Sequence, residues 1–185
     1  MRAFVAIELP ADVRAALGAL SERLQRSGAK ASWVRPERMH LTLRFLGEID
    51  EATTSGYAAA LSEQVPACGP VRLAVAKTGV FPNLRRPNVI WAGVEAVEGG
   101  LEALREAAEQ AARKTGLGAD NKRFHPHITL ARIRDRRRLG SIREALAAET
   151  DFAAGAFDAG RLVLFESRLT PKGPEYHLIE EFVLS

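Results

Sequence analysis

The sequence predicts an α+β fold with antiparallel sheets, and three observations carry that reading. Strands and helices follow one another irregularly, without the steady strand-then-helix alternation of a doubly wound fold. The frame His-x-Thr-x occurs twice, as His40-Leu41-Thr42-Leu43 and His127-Ile128-Thr129-Leu130, and each copy alternates polar and apolar residues as a half-buried strand does. An amphipathic helix precedes each motif strand and another helix follows it, with the two motif histidines 87 positions apart. This echo describes two lobes, each placing one motif strand across a shared groove.

The elements follow in order. Arg2 to Leu9 alternates well enough for a strand, and Pro10 suits the first turn of the next helix. Val13, Leu17, Leu20 and Leu24 form that helix's apolar stripe, and Ser27-Gly28 ends it. Trp33-Val34 precedes Pro36, and His40 to Leu46 forms the first motif strand, stopped by Gly47. Asp50 can cap a second helix running to about Gln64, before Val65-Pro66. Val71 to Val80 and Asn88 to Val94 read as strands around a turn-rich segment, and Leu101 to Lys114 as an amphipathic helix closed by Gly116. The second motif strand runs from about His125 to Ile133. A three-turn helix from Arg136 to Ala148 follows, then strands from Phe157 to Ser167 and Tyr176 to Leu184.

Composition narrows the class. With 46% apolar and 26% charged residues the chain can bury a sizeable core and is not wholesale disordered. Its 185 residues fit one domain most simply. A formal charge of +3 suits a phosphate-bearing partner without requiring one. The single cysteine, Cys68 in a turn, excludes an intrachain disulfide and a cysteine metal cluster, which fits a reducing cytosol. Arg2 to Leu9 is too short and too charged for a signal peptide, and no stretch reaches membrane-span length. The expectation is a cytoplasmic monomer with no membrane partner.

The motifs point to chemistry. Side chains two apart on a strand share a face, so His40 projects with Thr42 and His127 with Thr129, while Leu41, Leu43, Ile128 and Leu130 enter the core. Two imidazoles can serve as acid and base near neutral pH. Two hydroxyls can donate to the non-bridging oxygens of a phosphate as charge builds there. Phe45 and Arg132 each lie five positions after their motif histidine, where a ring could stack on a base and a guanidinium could bind phosphate. Strict alternation points both away from the histidine face, so a bulge, twist or strand end is needed to bring them in. Arg44 shares the parity of His40 and is a further candidate.

The paired motifs have Trp33-Val34 ahead of the first and Phe45-Leu46-Gly47-Glu48 after it. Together with the run Phe124 to Arg132 and the C-terminal Glu166-Ser167-Arg168-Leu169 and Gly173-Pro174-Glu175-Tyr176, they span nearly the whole chain. In these respects the chain resembles the RNA 2′,3′-cyclic phosphodiesterases, also called 2′-5′ RNA ligases, of the two-histidine phosphoesterase superfamily. The resemblance implies a single bilobal domain over residues 1–185, with two antiparallel sheets lining a central cleft, helices outside and a pseudo-twofold internal duplication. It implies no cofactor and no metal. Its implied partners are RNAs ending in a 2′,3′-cyclic phosphate, tRNA fragments among them. It also implies that the 3′ oxygen leaves, with His40 as its acid and His127 as base on water, and that the reverse reaction joins a cyclic end to a 5′-hydroxyl. The near-mirror motifs by themselves leave the substrate's orientation open.

The same residues allow other readings. The site could serve 2′-5′ oligonucleotides or a small cyclic nucleotide, or the cleft could bind RNA ends without catalysis. Two titratable imidazoles speak against a pure binder. A zinc site from His40, His125 and His127 is disfavoured by the stiff Pro126 and leaves the threonines unexplained. His125 is assigned a supporting or solvent-facing role and His177 ordinary strand surface. Trp33 and Trp91 are favoured as core residues. The run Arg132, Arg134, Arg136, Arg137, Arg138 reads equally as a phosphate-tracking patch or a solvated loop.

Overall fold

Alternating apolar residues place the strands in a surface whose order decides where the motifs meet. A computed structural model describes residues 1–184. Its strands are β1 (Arg2–Glu8), β2 (Ala31–Trp33), β3 (His40–Glu48), β4 (Val71–Phe81), β5 (Val89–Glu98), β6 (His127–Ile133), β7 (Ala153–Ala159), β8 (Arg161–Thr170) and β9 (Gly173–Val183). Its helices are α1 (Ala11–Gln25), α2 (Glu51–Gln64), α3 (Leu101–Lys114) and α4 (Ile142–Ala147). The strand pairs among the described residues are antiparallel, in the order β7-β4-β5-β6-β3-β1-β8-β9, with β2 paired to β6.

The two expected sheets are the two halves of this order, β3-β1-β8-β9 and β6-β5-β4-β7. They join at one residue pair, Leu41 with Ile128. The motif strands therefore lie side by side along a seam instead of facing each other across a groove. Leu41 and Ile128 are fully buried, within an apolar cluster that runs through both halves from Val5 and Ile7 to Ile90 and Leu130. Beyond the seam the same edge of β6 is taken by β2, with Trp33 opposite Ala131 and Ser32 opposite Arg132.

The helices cover the opposite face from expected signals. Asp50 caps α2 by accepting a 2.7 Å bond from the Thr53 amide. Val13, Leu17, Leu20 and Leu24 bury the stripe of α1.

Among the boundaries that differ from expectation, three bear on how the halves are joined. The helix expected from Arg136 shrinks to the six residues of α4, because residues 134–141 dock onto the loop after α1. Lys30 N–H donates to Arg138 O at 2.7 Å and Ser141 N–H to Ser27 O at 2.9 Å. Gly140, at φ +54°, passes so close to Ser27 O that a Cβ would collide with it. The strand expected from Phe157 to Ser167 is two strands, broken at Gly160 where the chain leaves the β4 edge for the β1 edge. Gly47 does not stop β3 but bends it at φ +77°.

A buried ion network ties β3 to α3 and to the loop entering β6. Arg44 Nε lies 2.8 Å from Glu109 Oε2, an ion-pair contact off the line of an ideal hydrogen bond. Arg105 donates to the same oxygen at 3.1 Å and to Asp120 Oδ2 at 3.1 Å. The Asp120 amide donates to Glu109 Oε1 at 3.0 Å, and Arg44 donates to the carbonyls of Phe45 and Gly118. Burial alone would raise the Glu109 carboxyl pKa, but the Asp120 amide and the two guanidinium groups outweigh it and hold it below the usual value. Glu109→Ala should cost about 3–5 kcal/mol, since two buried guanidinium groups lose their shared carboxylate. Urea unfolding measures it, and a loss under about 1 kcal/mol would mean that solvent takes over the role.

Candidate active site

The seam fixes the parity of both motifs. With Leu41 and Ile128 paired and buried, His40, Thr42, His127 and Thr129 project from the other face. A regular antiparallel ladder in this register sets His40 opposite Thr129 and Thr42 opposite His127. The histidines are then diagonal neighbours, a relation that spans about 7–8 Å.

Matching bulges bring in the residues that alternation would exclude. In β3 the partners of β1 skip Leu43, with Val5 opposite Arg44 and Ala6 opposite Thr42. In β6 the partners of β5 skip Leu130, with Ile90 opposite Ala131 and Trp91 opposite Thr129. Two consecutive residues thus face the core in each strand, Leu43-Arg44 and Leu130-Ala131, all four buried. The parity flips after them. Phe45 and Arg132 consequently line the same cleft as the motif residues.

Each histidine is oriented by its own strand entry. His40 Nδ1 lies 2.8 Å from Arg38 O, and His127 Nδ1 lies 2.7 Å from His125 O. A carbonyl only accepts, so both Nδ1 atoms carry the proton and both Nε2 atoms are left for the cleft. Aromatic rings fix the imidazole planes. Phe4 stacks on His40 with centroids 4.8 Å apart and Tyr176 meets it edge-on at 5.2 Å. Phe81 meets His127 edge-on at 4.9 Å.

This packing sets the charge state. Burial pushes the His40 pKa down to about 4, the bond to Arg38 O opposes the shift, and His127 adds to it. Burial also lowers the His127 pKa, with His125 and Arg132 adding to the effect against the bond to His125 O. Both shifts favour the neutral imidazole at pH 7.

The cleft above them holds about 960 Å³. Seven cations border it: Arg2, Lys30, Arg35, Arg38, Arg132, Arg134 and Lys172, and no Asp or Glu among the described residues does. Such a wall gives the cleft a positive potential that favours anions.

The family model for LigT-like phosphoesterases matches twice in tandem, over residues 7–91 and 93–176, one match per motif. The chain belongs to the LigT-like phosphoesterases. Curated relatives bear the name RNA 2′,3′-cyclic phosphodiesterase. The one from Aquifex aeolicus is 36% identical over 82% of this chain and 81% of its own. That from Thermotoga maritima is 33% identical over 98% and 94%. A crystal structure from Thermus thermophilus superposes with a TM-score of 0.82 at 32% identity, covering 100% of this chain and 98% of the other. Escherichia coli LigT in complex with 3′-AMP gives 0.80 at 24%, over 100% and 98%, a likeness of fold.

In this LigT-like phosphoesterase the cleft gathers all six residues singled out from sequence: His40, Thr42, Phe45, His127, Thr129 and Arg132. Arg44 does not join them, because the bulge turns it into the buried network with Glu109. His125 lies instead in an adjoining cavity of about 800 Å³, and its carbonyl orients His127. Trp33 borders the cleft while packing on the core. Trp91 is not a core residue, lying over Gly79 and against His125 and His127. Among the described residues no three His, Cys, Asp or Glu side chains gather to hold a metal ion. No described helix is long and apolar enough to cross a membrane.

Phe4, Phe81 and Tyr176 carry site roles that sequence reasoning missed. Their signal is cross-strand position: Phe4 sits opposite Phe45 on β3, and from there its ring reaches His40.

The lowered His40 pKa has a stability consequence. The unfolded chain takes up a proton near the ordinary pKa of 6.5, whereas folded His40 resists until about pH 4. The unfolded state therefore binds more protons between those values, and stability falls as the pH drops through them. The ring opens partly onto the cleft, so the loss should be about 2 kcal/mol instead of the full burial value. His40→Asn should lack this component in urea unfolding at pH 6.5 and 4. An unchanged pH dependence would show that His40 does not titrate as stated.

Proposed function

We propose that this chain hydrolyses RNA 2′,3′-cyclic phosphate ends to 2′-phosphomonoesters. The observation that carries the reading is the pair of neutral imidazoles, each pinned through Nδ1, whose Nε2 atoms serve one cation-lined cleft. The names of relatives 32–36% identical over most of the chain supply the substrate class.

In the proposed reaction a water oxygen attacks phosphorus as His127 Nε2 takes its proton. The bond to the 3′ oxygen breaks, and protonated His40 gives that oxygen a proton through Nε2. Thr42 and Thr129 donate to the non-bridging oxygens as their charge grows. His40 is neutral in the free protein, so it takes up a proton from solvent as the substrate binds: a bound phosphate anion favours imidazolium and raises the pKa. With a 5′-hydroxyl in place of water, the same steps give a 2′-5′ linkage. Each half supplies one histidine, so residues 1–185 act as one bilobal unit and a single copy completes the cleft.

His40→Ala and His127→Ala should each lower turnover about 10²- to 10⁴-fold with the fold intact, and the threonine variants should lose less. Hydrolysis of a cyclic-phosphate RNA in EDTA, followed by product analysis, is the direct test. An activated leaving group should rescue His40→Ala far more than His127→Ala, while the opposite pattern reverses the two roles. A 3′-phosphate product would turn the substrate round in the cleft.

The pH profile follows from the charge states. One imidazole must be protonated and the other neutral, and both free-protein pKa values lie below the ordinary 6.5. The bell in kcat/KM should therefore peak on the acid side of about pH 6.5, while kcat peaks higher because the bound anion raises both values. A kcat/KM optimum above about pH 7 would contradict the burial effect.

A further inference from the structure

The cleft and its two histidines account for one end of a substrate and leave a dense cluster of positive charge unused. Residues 122–143 contain eight Lys and Arg and one carboxylate, Asp135. Arg132 and Arg134 reach the cleft, and Arg136, Arg137 and Arg138 continue outward from it, all exposed.

The way several of these arginines are held leaves their charge available. Elsewhere Arg23 pairs with Glu149, Arg72 with Asp158 and Arg161 with Glu8 and Glu181. Arg134 at the cleft mouth and Arg136 at the start of the ridge have neutral partners instead. Arg134 donates to Ser32 Oγ and Arg136 to Asn88 Oδ1 at 2.9 Å. These bonds orient a guanidinium without cancelling its charge. Asp135 is the exception, pairing with Arg137, and it holds the turn by accepting from the Arg137 amide at 3.0 Å.

The backbone beneath is fixed to the cleft wall. Arg134 N–H donates to Lys30 O at 2.9 Å and Lys30 N–H to Arg138 O at 2.7 Å, and Lys30 itself borders the cleft. The ridge and the cleft mouth therefore keep a set spacing.

We infer that the ridge Arg136-Arg137-Arg138 is a binding track for the phosphodiester chain of a single-stranded RNA whose 3′ end occupies the cleft. It rests on the proposed function for the identity of that end. The track makes the protein favour an oligonucleotide over a mononucleotide, because phosphates upstream of the end add interactions that a cyclic mononucleotide lacks.

The test compares wild type with R136Q/R137Q/R138Q on two substrates, an RNA of about ten residues with a 2′,3′-cyclic phosphate and a 2′,3′-cyclic mononucleotide. Binding of the same RNA with an ordinary 3′-hydroxyl is followed by fluorescence anisotropy across salt concentrations. Wild type should favour the oligonucleotide in kcat/KM by about tenfold or more at low salt. The variant should lose most of that preference while keeping mononucleotide turnover. Its logarithmic salt slope for RNA binding should fall by about 2, since each phosphate that the protein no longer neutralises removes about 0.7. Unchanged RNA binding and salt slope in the variant would overturn the track and leave the ridge for another acidic partner. An equal loss on both substrates would also overturn it. Should wild type turn over neither substrate, the hydrolytic reading fails by itself, and the anisotropy series still decides the ridge.

Discussion

The pairing of Leu41 with Ile128 is the constraint on which the site depends. Both side chains are fully buried, so the pleat commits the neighbouring polar residues to the opposite face. A slip of one residue in either strand would carry a histidine and a threonine into the core and an aliphatic chain into the cleft. The site's register and the core's register are therefore the same quantity. One pair suffices because β6 is held elsewhere along its length by β5 and β2, and β3 by β1.

Orientation and charge are divided between separate groups. Each imidazole is aimed by a carbonyl two residues before it, a local device that needs nothing from the other half. Aromatic neighbours dry the rings and keep them neutral, while the positive charge stands at the cleft wall on arginine and lysine. In the proposed reaction the wall draws the anion, and the anion then makes protonation of His40 favourable. A pair of permanently charged imidazoles would bind phosphate without a base to activate water.

Much of this is legible in the sequence. The duplicated frame sets the strand parity of His40, Thr42, His127 and Thr129, and helical spacing locates α1, α2 and α3. Two kinds of feature are not legible. The bulges at Leu43 and Leu130 arise from pairing with β1 and β5, strands distant in sequence, so local alternation sends Arg44 to the wrong face. The short α4 and the break at Gly160 are likewise set by contacts made after the chain has folded, with Ser27 in one case and the β4 and β1 edges in the other. Phe4 and Tyr176 look like ordinary strand aromatics until the register sets them on His40.

The halves are most alike at the motif residues and least alike five residues further on. Histidine, threonine, pinning carbonyl and bulge recur in both strands, so these groups cannot tell one end of a phosphate ester from the other. After the bulges the likeness breaks: β3 presents Phe45, 59% exposed, and β6 presents Arg132. A ring offers a surface for a base, and a guanidinium offers a fork for phosphate. Lys30 and Arg134 lie on the Arg132 side and Phe4 on the Phe45 side. In the proposed function this difference sets the direction in which an RNA end enters: the bulges that hide Arg44 also put unlike side chains on either side of two like histidines.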